Sequence, residues 1–126
     1  MVVEQSLQTI LIAAGTTAVD RIYPLVLPPD VTLPAIAYTR ISSPRLHCLT
    51  GFSHYARPRF QFTAWALTYE AAKDLANEIR VALDGYLGTV GGVNIQSSFA
   101  ENELDMYEPQ SGFYGVLVDF FIAHGE

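Results

Sequence analysis

Three residues in the middle of the chain, His47, Cys48 and His54, are of types that hold a metal ion or act as a thiol nucleophile with its base. Their spacing suits neither role. Zinc sites take paired ligands two to four residues apart and then a second pair. A thiol–imidazole pair needs a third group to orient the base, and adjacency in sequence supplies none. The bland expectation is polar loop residues beside a half-buried thiol, with no metal and no cofactor.

Glu101, Glu103 and Asp105 alternate, so an extended segment would place all three carboxylates on one face. Convergent carboxylates do acid–base work or bind Mg²⁺ or Ca²⁺. These three instead sit in one acidic run next to a turn, which favours a solvated or subunit-facing edge where like charges discourage wrong pairing. Gly85, Gly88, Gly91 and Gly92 are not a phosphate cradle, because no Lys-Ser/Thr follows and the order is helix, turn, strand. Arg40, Arg45, Arg57 and Arg59 near Tyr38, Tyr55 and Trp65 have the ingredients of a single-strand nucleic-acid platform. A formal charge of −6 opposes that use. The arginines are expected to lie along the surface or to pair with the acidic half of a neighbouring copy. No catalytic residue is expected.

The elements that carry these residues are legible from periodicity. Leu7, Ile10, Leu11 and Ala14 form one helical stripe, with Gly15 where a C-cap belongs, so helix is expected from about Val3 to Ala14. Pro24, Pro28, Pro29 and Pro34 keep the next stretch extended, with a short edge strand within Ile22 to Leu27. Ala35 to Ser42 alternates as a strand, with Ile36, Tyr38 and Arg40 on one side. Arg57 to Leu67 is the next strand, with Phe60, Phe62, Ala64 and Ala66 on one face. Thr68 caps a second helix whose apolar positions include Ala72, Leu75, Ala76, Ile79 and Leu83. Further strands are expected at about Val93 to Phe99 and at Phe113 to Ala123. The fold class is therefore α+β: an antiparallel or mixed sheet of four to five strands with two helices packed on one face.

Two features remain unexplained by that plan. Ser43 to Ala56 reads as a long connection, a length that is usually functional or disordered. Leu46, Leu49, Phe52 and Tyr55 give it enough apolar surface to be ordered by a partner. The last strand also carries Leu117 and Phe121 opposite Val116 and Val118, and Trp65 repeats the pattern next door. The second sheet face is thus partly apolar, and either the 43–56 segment or another subunit covers it.

At 126 residues and half hydrophobic, the chain is expected to be one domain, 1–126, with a core that needs no disulfide. The apolar runs are too short to cross a bilayer, and no basic region precedes an apolar segment at the start. The single Cys48 fits a reducing cytoplasm. Five of the seven basic residues fall between Arg21 and Arg59, and the second half is acidic. Such asymmetry suits head-to-tail self-association. The candidate interface residues are Arg57, Arg59, Trp65, Glu101, Glu103, Asp105, Leu117 and Phe121.

One further pattern spans nearly the whole chain. Arg21-Ile22-Tyr23-Pro24-Leu25 is followed by Arg57-Pro58-Arg59-Phe60-Gln61-Phe62-Thr63-Ala64-Trp65-Ala66. Next come Leu83-Asp84-Gly85 and the turn Gly88-Thr89-Val90-Gly91-Gly92-Val93. Asp105-Met106-Tyr107-Glu108-Pro109-Gln110-Ser111-Gly112-Phe113-Tyr114 then leads into a final apolar strand. In order and residue type this resembles the tail-completion proteins of long-tailed bacteriophages, also called tail-terminator or tail-to-head joining proteins. The resemblance implies a structural virion protein made in the bacterial host cytoplasm. It implies a ring of identical subunits, expected to be a hexamer, at the head-proximal end of the tail tube. Its partners would be other copies of itself, the tail tube protein and the head-neck connector proteins. DNA would only pass through the lumen, and no membrane is involved. Two alternatives stay open: another neck or minor tail component, and a small enzyme or ligand-binding domain with a pocket joining His47, His54 and the Glu101–Asp105 carboxylates.

Overall fold

The computed structural model describes residues 3–18, 20–25, 27–28, 30–42, 45–48, 51–56, 58–90, 92–110 and 112–125, and among these are two helices and eight strands. For residues 3, 42, 45–48, 51–56, 96 and 125 the description is of the backbone. Helix α1 (Val3–Ala14) buries Leu7, Ile10 and Leu11, the apolar stripe of the sequence. Helix α2 (Tyr69–Leu83) starts at Thr68, whose hydroxyl accepts from the Ala71 amide at 3.2 Å. That bond satisfies one of the free amides every helix N-terminus leaves. Ala72, Leu75, Ala76, Ile79 and Leu83 form its buried face. Gly85, at φ +75°, turns the chain out of the helix and donates its N–H to the Ser98 carbonyl at 2.6 Å.

The strands are β1 (Ile22–Pro24), β2 (Ala35–Ser42), β3 (Arg45–Cys48), β4 (Gly51–Ala56), β5 (Arg59–Ala66), β6 (Gly88–Val90), β7 (Val93–Glu108) and β8 (Phe113–Gly125). The β1–β2 pair is parallel and the others are antiparallel, so the sheet is mixed. The register shows how eight strands fill six positions. His124 of β8 faces Ile95 of β7 and Ala56 of β4 at once. A strand has only two sides, so β4 lies on the same side of β8 as β5 and prolongs it. Ser42 pairs with Arg59 and Arg45 with Ala56, so β3 prolongs β2 in the same way. Across the sheet the order is β1, β2 with β3, β5 with β4, β8, β7, β6.

This corrects two expectations. The sheet has more than four to five strands, because β6 is three residues inside a glycine-rich turn and leaves no periodic signal. The 43–56 segment is not a plain connection either. Its described residues are two strands of an arm that continues the β2–β5 pair past the body of the sheet. Leu46 belongs to β3, and Phe52 and Tyr55 to β4. Leu49 lies outside the described residues. The α+β class, the mixed sheet and the two helices on one face stand.

The core lies between the helices and one sheet face. Phe60, Phe62 and Phe120 are fully buried beside Ile36, Leu75, Ile79 and Val116. Phe62 meets Phe120 edge-on, with ring centroids 5.7 Å apart. Helix α1 touches both margins of the sheet. The Ser6 hydroxyl donates to Val90 on β6 at 2.9 Å, and the Gln8 amide to Ile22 on β1 at 3.2 Å. Arg40 on β2 pairs with Glu4 at 2.6 Å. Six flat strands would hold those margins about 24 Å apart. A helix is only about 10–12 Å thick, so the sheet must curl around α1.

Candidate functional site

Both helices bury their apolar stripes on the same side, which leaves the opposite sheet face without a helix. Trp65, Leu117 and Phe121 lie on it, as the alternation in β5 and β8 anticipated. So do Phe99, Leu104 and Met106 of β7, which the sequence reading missed. A signal is present for two of them, since Leu104 and Met106 alternate with Glu103 and Asp105, but the acidic run beside a turn masks it. Leu104 pairs directly with Leu117 and is 52% exposed; Met106 pairs with Gly115 and is 41% exposed.

Gly115 explains how the tryptophan fits. It pairs with Trp65 across the β5–β8 ladder. A methyl group there would come within 2.9 Å of Trp65 Cζ3 and 3.0 Å of Met106 Cγ. Only glycine lets the indole and the Met106 side chain lie down on the strand. Gly115→Val is therefore expected to lift the indole into water with little loss of fold. Trp65 is the only tryptophan, so a red shift of the fluorescence emission in the otherwise native variant would report it. An unchanged emission spectrum would show that the indole does not rest on Gly115.

A polar centre sits within the same face. Asp119 is 3% exposed and accepts from Arg59 Nη2 at 2.7 Å and from Gln61 Nε2 at 3.2 Å. The Arg59 guanidinium lies 5.8 Å from the Phe121 ring centre, and Phe121 stacks on Phe99 at 6.0 Å. The Arg59 guanidinium is thus held by a carboxylate and an aromatic ring of its own subunit, which fixes where its charge is presented.

The acidic trio is divided. The β7–β8 register slips between Ala100 and Asn102, which makes Glu101 the extra residue of a bulge. Glu103 and Asp105 turn instead toward α2. Lys73 reaches Asp105 at 2.7 Å and Glu103 at 3.4 Å, and the Tyr69 hydroxyl donates to Asp105 at 2.8 Å. Tyr69, Tyr114 and Tyr107 stack beside them, with neighbouring ring centres 6.4 and 4.9 Å apart. The hydrogen bond from Lys73, then that from Tyr69, holds Asp105 below the usual carboxylate range, and the same bond to Asp105 raises Lys73. An acid with a lowered folded pKa contributes stability above its unfolded pKa and loses it as pH falls through the lowered value. The difference in melting temperature between the native chain and Asp105→Asn should therefore be full at neutral pH and fade as the pH drops below the ordinary carboxylate range. A difference that persists there would mean that the carboxylate charge is not what matters.

The remaining candidates do not converge on this face. Arg57 lies outside the described residues. His47, Cys48 and His54 lie on the backbone of β3 and β4, and their side chains fall outside the description. Tyr55 faces Gly125 whereas Asp105 faces Val116. Along β8, roughly 30 Å therefore separates the arm from Asp105 and about 15 Å separates it from Glu101. The backbone thus spreads the arm and the three carboxylates along the sheet, whereas the enzyme alternative requires them to meet. Among the described residues no group of three metal-binding side chains occurs, and no helix is long and apolar enough to cross a membrane.

A curled α+β subunit with a helix-free apolar face and a projecting strand pair is built to assemble with other proteins. The chain matches the family model of tail completion protein gp17 over residues 5–125, and it belongs to that family. It is a structural protein of a phage-type tail, a component of the virion and not an enzyme. Among solved structures, a chain of the virion of a native gene transfer agent particle has the same fold. The TM-score is 0.73 at 16% identity, over 98% of this chain and 92% of that one. A comparison with curated proteins finds no match.

Proposed function

We propose that this protein is the tail terminator of its particle. Subunits close into a ring, hexameric by the family resemblance, on the head-proximal end of the tail tube. The ring halts addition of tube protein and presents its outer rim to the head-neck connector proteins. The observation that carries this reading is the helix-free face bearing Trp65, Leu104, Met106 and Leu117 in a chain of the tail-completion family. An apolar surface of that kind is kept for a partner. A head-to-tail interface whose rotation closes gives a ring. The net charge of −6 suits a lumen that DNA must traverse, since a basic wall would retain it.

The test is to add the purified protein to assembled tail tubes and image their ends. One tip of each tube should be capped, and phage lacking the gene should grow overlong tubes. Bare ends at saturating protein, or mutant tails of normal length, would defeat the proposal. Normal-length tails that cannot join heads would instead assign the protein to the neck.

A further inference from the structure

We infer that the contact closing the ring is a strand pairing between copies: β3 of one subunit's arm adds to the outer edge of β7 in the next. The inference rests on the ring reading and specifies its interface. Both edges are open. Among the described residues β3 pairs only with β4, and β6 covers β7 only from Val93 to Ile95. Asp84 and the Gly85 amide occupy the β7 edge at Ala100 and Ser98. From Glu101 to Glu108 that edge has no strand partner among the described residues, and residues 101–107 are exposed. Unpaired edges of this length are templates for another strand.

Charge selects the occupant. The stretch from Ser42 to Arg59 contains Arg45, Arg57 and Arg59 and no acid. The β7 edge carries Glu101, Glu103, Asp105 and Glu108 and no base. Lys73 neutralises only part of that charge. A basic strand along an acidic edge is favoured in encounter and in register, and two acidic edges repel each other. Distance then makes the pairing intermolecular. The arm leaves the sheet where β8 ends, and the acidic edge lies where β8 begins. The arm lies across β8 from β7, and along β8 it stands about 15 Å from Glu101 and about 30 Å from Asp105, so it does not fold onto its own β7 edge. Different surfaces on each partner give a heterologous contact, the kind that makes rings.

Cys48, the only cysteine, stands in β3 and serves as a probe. Glu101→Cys, Glu103→Cys and Tyr107→Cys, made singly, are oxidised with copper-phenanthroline in the assembled protein. Non-reducing gels should show a ladder of linked subunits at one or two neighbouring positions, because disulfides form only between Cβ atoms about 3.5–4.5 Å apart. The ladder should vanish with Cys48→Ser. Arg45→Glu and Glu101→Arg should each raise the concentration needed for assembly roughly tenfold, and the double variant should restore it. A ring of correct mass that cross-links at none of these positions overturns this inference and leaves the ring reading intact. Absence of any oligomer, in solution or on tube ends, overturns both.

Discussion

Phe62→Asp is expected to yield no folded subunit. Phe62 is fully buried and its ring meets Tyr38, Phe60 and Phe120 within 6.5 Å. Truncating such a residue to alanine alone costs roughly 3–5 kcal/mol. A carboxylate with no partner in that place adds several kcal/mol or takes up a proton. A domain of this kind has only about 5–15 kcal/mol in total. Leu75→Asp, on the facing side of α2, should behave in the same way. Circular dichroism and a thermal scan decide it: a soluble variant with an unchanged transition would mean that the core is not between α2 and β5.

Leu104→Glu is expected to do the opposite, sparing the subunit and abolishing its assembly. The side chain is half exposed, so the folded monomer should change by no more than about 0.5 kcal/mol. In the proposed ring, a charge against a partner's apolar surface should cost roughly 2 kcal/mol or more at each contact. The loss repeats at every interface of a closed ring. Thermal scans should superimpose on the native protein while tube ends stay bare. Capped tubes at native concentrations would show that this face is not the interface.

How far the sequence disclosed this arrangement depended on whether the signal was local. Helix α1 and strand β2 matched their expected bounds, and helix α2 its expected cap and buried stripe, because apolar spacing and capping residues lie within the element itself. Val116, Val118, Phe120 and Ile122 likewise announced the buried face of β8. The arm was missed because its strands show little alternation and are flanked by Pro44 and Pro58. What makes them strands is continuity of register with β2 and β5, a property of pairs distant in sequence. The far half of β7 was missed for a different reason. Acidic residues are uncommon in strands, and Glu101, Glu103 and Asp105 masked the alternation of Asn102, Leu104 and Met106. Lys73 accounts for two of those acids, and no spacing rule links it to residues thirty positions away. The apolar second face was legible, through Trp65, Leu117 and Phe121, although its β7 half was not.

The bond from Ser6 to Val90 spans eighty-four residues. Helix α1 leaves the ribosome long before β6, yet its seat includes that strand. Until β6 to β8 are made, Leu7, Ile10 and Leu11 have no complete core to enter. The central β5–β8 ladder carries the same delay. Such long-range closure makes folding slow relative to helical proteins of this size. It also means that an incomplete chain cannot present a finished curled sheet. If the protein is the terminator proposed above, a subunit gains the surface that caps a tube only once β8 has been made.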